Sequence, residues 1–179
     1  MPNQYDSVTV RRFIDELVER IASEFQSNSK LNLVGIRTRG ETLAARIEPA
    51  LKERGLHQIG RGALDITLYR DDLSEIGPLP LVKPTNLNMH IDGVPMVLVD
   101  DVLFTGRTVR AALHQLSDFG RPSVIRLAVL VDRGGRELPI HPDFCSLTLG
   151  ELPRDQRVKV KLIENDGTDE IIVGLRNAP

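Results

Sequence analysis

The sequence predicts an α/β fold: a mainly parallel, twisted sheet flanked by helices. Three observations carry that expectation. Apolar runs of strand length at 31–36, 96–99 and 124–131 alternate with helical stripes. The first two runs end in charged segments that each contain a glycine and lead into a helix. The chain has 179 residues, 41% of them apolar, which fills one core and leaves little for a second, so residues 1–179 are read as a single domain.

Taken in order, residues 9–25 read as a helix. Val10, Phe13, Ile14, Leu17, Val18, Ile21 and Phe25 recur at helical spacing, with Glu16, Glu19, Arg20 and Glu24 on the other face. Polar residues 26–30 end it. The strand at 31–36 stops at Arg37-Thr38-Arg39-Gly40. Residues 41–54 form a second helix on the Leu43, Ile47 and Leu51 stripe, closed by Gly55. Residues 63–69 alternate like a strand. The polar, proline-containing stretch 70–88 is too long for a turn; loops of that length serve as lids or stay disordered. The strand at 96–99 ends in Asp100-Asp101. A helix over 106–119 turns Val109, Ala112, Leu113 and Leu116 inward, and weaker strands are expected near 144–149, 158–164 and 170–174.

Composition removes several classes. A net charge of −2 supplies no global positive field for nucleic acid or membrane. The lone Cys145 cannot form an internal disulfide, and His57, His90, His114 and His141 are scattered without zinc-ligand spacing. No apolar run approaches a membrane span, and the first residues lack the order of a signal peptide, so a cytoplasmic location is expected. The cations are 18 arginines and 5 lysines. Genomic bias accounts for such a ratio, but the arginine fork also grips phosphates through two bonds.

The chemistry concentrates in residues 96–108. Ligands of open α/β sheets bind outside the carboxyl ends of the strands. There, Asp100 and Asp101 can accept hydrogen bonds from neighbouring ribose hydroxyls; burying two like charges for structure alone is costly. Thr105-Gly106-Arg107-Thr108 then opens a helix whose first N–H groups lack internal partners, a cradle for a monophosphate. A diol acceptor beside a phosphate cradle describes a ribose 5-phosphate. The alternative is an ordinary strand–turn–helix with solvated aspartates. Neither a GxxxxGK[ST] loop nor a GxGxxG turn after a strand is present.

This segment resembles the phosphoribosyl pyrophosphate (PRPP) signature of type I phosphoribosyltransferases. Together with LVGIRTRG at 33–40, DITLYRDDL at 65–73 and LAVLVDRGGRELPI at 127–140, it is similar to the bacterial pyrimidine operon regulators with uracil phosphoribosyltransferase activity. The resemblance covers about residues 11–140. It implies the type I phosphoribosyltransferase fold with a flexible hood loop over 70–88. It implies catalysis by Asp100, Asp101 and Arg39. Nucleotide contacts are expected from Thr38, Arg39, Gly40, Arg70, Asp100, Asp101, Val102, Leu103, Phe104, Thr105, Gly106, Arg107 and Thr108. The loop 37–40 would hold pyrophosphate and adopt a non-proline cis peptide. Asp71 and Asp72 are read equally as hood or solvated loop acids.

Base contacts are expected from Phe104, Val131 and Asp132, with Arg136 and Glu137 as a surface pair. Related purine enzymes usually carry an aspartate where this chain has Phe104, which points to uracil as the base. Mg²⁺ would arrive with PRPP, since magnesium needs few protein carboxylates; no metal ligand is assigned directly. The implied ligands are PRPP, uracil and UMP or UTP, in a homodimer or higher homo-oligomer with no membrane partner. Binding of a pyrimidine-operon mRNA leader would draw on Arg11, Arg12, Arg154 and Arg157. Glu16, Glu19, Glu151 and Asp155 interrupt that basic face, and Gly135 stands where relatives often have histidine, so the balance of the sequence tilts toward an enzyme that has lost RNA binding. A salvage enzyme for another base is the remaining alternative.

Overall fold

A computed structural model describes residues 4–66, 84–153 and 155–175. Five strands form a parallel sheet: β2 (Leu31–Ile36), β3 (Ile59–Leu64), β4 (Met96–Leu103), β5 (Ile125–Asp132) and β6 (Phe144–Thr148), in the order β3-β2-β4-β5-β6. Three helices flank it: α1 (Ser7–Phe25), α2 (Arg39–Glu53) and α3 (Arg107–Leu116). A second, antiparallel sheet has the order β1-β8-β7, from β1 (Gln4–Tyr5), β7 (Gln156–Lys161) and β8 (Glu170–Leu175). A helical turn, α4 (Ile163–Asp166), lies inside the β7–β8 hairpin.

Period-two alternation decides which side of the parallel sheet each residue serves. Leu31, Leu33, Val97, Val99, Ala128 and Leu130 join the core under α1 and α2, while Val34, Ile36, Met96, Leu98, Leu127 and Val129 join the core under α3. Both faces being covered, these strands read as continuous apolar runs. The α1 stripe is buried as its spacing predicts, and the Asp6 carboxylate caps the helix by accepting from the Thr9 N–H at 2.9 Å.

Several expectations need correction. β4 does not end before Asp100-Asp101 but continues to Leu103, because β5 pairs with it as far as Leu103 opposite Asp132. β3 begins at Ile59, not at 63; Gly60 and Gly62 hid it by breaking the apolar alternation. They are small because the chain returning to β4 lies on them: a Cβ on Gly62 would sit 2.6 Å from the Met89 methyl and 2.7 Å from the Asn86 carbonyl oxygen. α3 is shorter than 106–119, and Leu113 lies on its exposed side, with Ala111 and Gln115 buried instead. β1 and α4 had no visible signal. The expected hood over 70–88 falls mostly outside the described residues, as do Arg70, Asp71, Asp72 and Arg154. Its returning end is anchored: Asn86 and Ala63 exchange backbone hydrogen bonds at 2.8 and 2.9 Å, and Thr85 Oγ1 accepts from the Gln115 amide at 2.8 Å.

Candidate active site

β2 and β4 are neighbours, yet the chain leaves them in opposite directions, through α2 to β3 and through α3 to β5. This reversal of strand order opens a crevice outside their carboxyl ends. Residues 37–40 form its β2 rim, with a cis peptide between Arg37 and Thr38. Gly40 permits the close approach: a Cβ there would lie 2.3 Å from the Val99 carbonyl oxygen, so α2 starts directly against the backbone of β4.

Across the crevice, Asp100 is buried and Asp101 half-buried. The Asp101 N–H donates to Asp100 Oδ1 at 2.9 Å, and the Val102 N–H donates to Asp101 Oδ1 at 3.0 Å. No cation pairs with either carboxylate among the described residues. Burial, then the charge of Asp101, pushes the Asp100 carboxyl well above the ordinary range. Burial also raises Asp101, against the pull of its hydrogen bonds and of the Arg39 charge. A neutral diol or a metal-bearing ligand would supply what these acids lack.

Beyond Leu103 the chain turns through Phe104 and Thr105 to Gly106, which adopts the left-handed conformation at φ +93° and precedes α3. No side chain caps this helix from the Gly106 position; Thr105 Oγ1 accepts from the Arg107 N–H at 3.3 Å. Its N-terminal dipole therefore faces the crevice beside the two aspartates. Arg107 turns to the rim and donates to Glu137 at 2.7 Å.

The third edge follows β5. Val131 is fully buried in the core, so its side chain forms the wall behind this edge. Asp132 is saturated: Oδ1 accepts from the Gly134 N–H at 2.9 Å and Oδ2 from Arg136 Nη2 at 2.6 Å. Arg136 is not a surface partner of Glu137. It also donates to the carbonyls of Phe104 at 2.7 Å and Ile140 at 2.8 Å, stitching residues 132–140 to the end of β4. Phe104 is 40% exposed, with the Arg133 guanidinium 3.9 Å from its ring centroid. A Cβ on Gly135, itself at φ +72°, would come within 2.7 Å of the ring, so the contact fits glycine. Arg133 is only 6% exposed, and its Nε has no hydrogen-bond partner among the described residues. Burial lowers its pKa.

Sequence reasoning missed a fourth component. The turn of the β7–β8 hairpin docks onto the start of α2. Asp166 takes Arg39 in a two-pronged pair, from Nη2 at 2.7 Å and Nε at 3.1 Å. Arg46 is gripped by both Glu164 and Asp169, and Thr42 donates to Asn165 at 2.8 Å. The side chain of Arg39 is thus held by the tail of the chain. Of the expected RNA contacts, Arg12 faces Glu16 at 3.9 Å, Arg11 lies within the field of Asp169, and Arg157 is exposed on β7.

The phosphoribosyl transferase domain matches residues 5–154. The chain is 45% identical over 172 residues to the bifunctional protein PyrR of Elusimicrobium minutum, covering 96% of each protein. It is 50% identical over 162 residues to the bifunctional protein PyrR of a Roseiflexus species, covering 90% of this chain and 88% of that one. The chain belongs to the PyrR family of phosphoribosyltransferases. Among solved structures, the hypoxanthine phosphoribosyltransferase of Trypanosoma cruzi shares the fold with a TM-score of 0.69 at 18% identity, over 94% of this chain and 93% of that one. A hypoxanthine-guanine phosphoribosyltransferase of Bacillus anthracis does so at 0.66 and 14% identity, over 98% of each. The type I phosphoribosyltransferase fold expected from the sequence is the one observed. Among the described residues, no helix is long and apolar enough to cross a membrane.

Proposed function

We propose that this chain transfers the phosphoribosyl group of PRPP to uracil, forming UMP and diphosphate. The observation that carries the reading is the pair Asp100–Asp101, one buried and one half-buried and with no paired cation among the described residues, beside the open start of α3 and across from the 37–40 loop. The Asp100 and Asp101 carboxylates accept from the two ribose hydroxyls and fix C1. The first N–H groups of α3, with Thr105 and Thr108, hold the 5-phosphate. Arg39 and the 37–40 backbone hold the diphosphate. As the bond from C1 to the diphosphate oxygen breaks, N1 of uracil forms the new bond to C1 and gives up its proton to the departing diphosphate or to water, so the protein's contribution is position and charge.

Mg²⁺ fits this donor set. Two adjacent carboxylates at the crevice suit an ion that keeps most of its other ligands from water and phosphate, although no cluster of three ligating side chains exists among the described residues. When bound, it neutralises charge on the leaving diphosphate. Phe104 offers no group that could exchange a proton with a purine, which favours uracil. Incubation with PRPP, Mg²⁺ and each free base tests the assignment: uracil-dependent UMP is expected, and turnover of hypoxanthine or guanine without uracil would overturn it.

A second reading is regulation through the pyrimidine-operon mRNA. It is favoured by the near full-length match to proteins named bifunctional, against the tilt of the sequence. Arg157, Lys159 and Lys161 alternate along β7 and so share one face of the small sheet. Filter binding of the leader RNA across salt concentrations, with and without UMP, tests it. A response no steeper than for unrelated RNA would remove this reading and leave the enzyme.

A further inference from the structure

We propose that Asp166 is a positioning residue for diphosphate binding: from the C-terminal hairpin it holds one edge of the Arg39 guanidinium and leaves the Nη1 end free for phosphate oxygens. The inference rests on reading residues 37–40 as the diphosphate loop.

The geometry supports a holder and not a chance surface pair. A guanidinium has five N–H donors in a rigid fork. Asp166 uses Nε and Nη2, at 3.1 and 2.7 Å, and among the described residues Nη1 has no hydrogen-bond acceptor. Asp166 is itself fixed, because the Leu162 N–H donates to its Oδ2 at 3.0 Å. The Arg39 contact, foremost, holds its carboxyl below the usual aspartate range, so it remains an anion at neutral pH.

The support behind Asp166 is equally specific. Arg39, Thr42 and Arg46 lie on one face of α2 and meet Asp166, Asn165, and Glu164 with Asp169 in turn. Asp169 is tied back to the same turn by the Ile163 N–H at 2.8 Å. On its other side the start of α2 has no slack, because Gly40 lies against the Val99 carbonyl. The hairpin and the sheet therefore grip the first turn of α2 from two directions.

This arrangement answers an electrostatic difficulty. Arg39 lies within the field of Asp101, one of two acids proposed to accept ribose hydroxyls. A long cationic side chain left free there would be drawn across the crevice and would occupy the acceptor that the ribose requires. Asp166 holds the guanidinium against that pull through its two hydrogen bonds. The hairpin lies beyond residue 154, where the match to the phosphoribosyl transferase domain ends, so this function belongs to a part of the chain outside the shared domain.

The test is calorimetric titration of the full chain in Mg²⁺ with PRPP and, separately, with ribose 5-phosphate, alongside thermal unfolding. Asp166→Ala is expected to weaken PRPP by about tenfold, the gain from holding one long side chain in place before the ligand arrives. Asp166→Asn keeps one acceptor and should fall between wild type and Ala. Affinity for ribose 5-phosphate, which has no diphosphate, should fall by clearly less than that for PRPP, since it loses only the acceptor that a freed Arg39 occupies. Asn165→Ala loosens the hairpin without touching Arg39 and should leave PRPP affinity intact. Arg39→Ala should weaken PRPP, and adding Asp166→Ala to it should cost nothing more. If Asp166→Ala and Asp166→Asn both bind PRPP like wild type or more tightly, or if Asn165→Ala weakens it equally, the positioning role is wrong. If Arg39→Ala itself binds PRPP normally, the reading of the 37–40 loop fails and takes this inference with it.

Discussion

Two strand ends, those of β4 and β5, carry the same residue type under opposite conditions. Asp132 closes β5 with both oxygens supplied, one by the Gly134 N–H and one by Arg136. Asp100 and Asp101, just before the end of β4, have only backbone donors and each other, with no paired cation among the described residues, and burial drives their carboxyls toward the neutral form. The first is an aspartate whose demands the fold meets. The second pair has demands that the fold leaves to a ligand, which is how a binding site differs from a structural contact.

The largest effect should come from the β4 end. Removing both carboxylates in Asp100→Ala, Asp101→Ala takes away acceptors worth roughly 1.5–3 kcal/mol each for hydrogen bonds to a charged group. PRPP affinity measured by calorimetry should fall by a hundredfold or more, on the order of the summed loss. An unchanged affinity would reduce the two aspartates to ordinary strand-end residues.

The same pair should behave in the reverse way for stability. A folded-state pKa raised above the unfolded value gives stability that is present at low pH and is lost as pH rises through the folded pKa. Asp100→Asn removes that penalty, so its advantage over wild type should grow from acid to neutral pH. A gain of 1 kcal/mol corresponds to a Tm increase of about 2–4 °C for a chain of this size. PRPP affinity of wild type should meanwhile decline on mild acidification, as a protonated carboxyl loses acceptor strength. A variant less stable than wild type at neutral pH would mean that the dyad is not under tension.

At the β5 end the direction is opposite. Asp132→Ala leaves Arg136, only 15% exposed in its side chain, without its carboxylate. An unsatisfied buried partner costs about 1–3 kcal/mol. Urea unfolding should show that loss, with uracil KM rising because the Arg136 stitch from residues 132–140 to Phe104 loses the carboxylate that fixes it. PRPP affinity should hold. Were Asp132→Ala to cost nothing in stability, the contrast between the two strand ends would collapse.

The legibility of the molecule followed the range of its interactions. The strand at 31–36, the α1 stripe and the motif at 100–108 are local patterns, and the sequence displays them because each residue acts with near neighbours. β3 was displaced because Gly60 and Gly62 answer to Met89 and Asn86, not to their own strand. Arg136 was misread because its partners are the Phe104 and Ile140 carbonyls and Asp132, and backbone carbonyls leave no mark in a sequence. The hairpin clamp was invisible for the strongest version of this reason. Its pairs join residues 118 to 127 positions apart, and scattered acids in a tail look like a solvated surface until the fold brings them to α2.

Arg133 provides the smallest and most selective way to sharpen the contrast. It follows Asp132 directly, yet it resembles the β4 acids more than its neighbour: a buried charge whose Nε has no partner among the described residues and whose guanidinium lies over the Phe104 ring. A guanidinium there can donate to a carbonyl oxygen of the base, so the β5 end would carry one met demand and one left open. Arg133→Met keeps the length and the apolar contact with Phe104 but removes every donor. Uracil KM should rise by about three- to tenfold, the net worth of one intramolecular-strength hydrogen bond of roughly 0.5–1.5 kcal/mol. PRPP affinity and Tm should change little, since nothing among the described residues accepts from the side chain. Thiouracils separate this from a change in shape: sulfur accepts hydrogen bonds poorly, so wild type should discriminate against one thio isomer and Arg133→Met should not. Equal discrimination by both proteins would assign Arg133 to packing on Phe104 alone and return base recognition to the backbone of this edge.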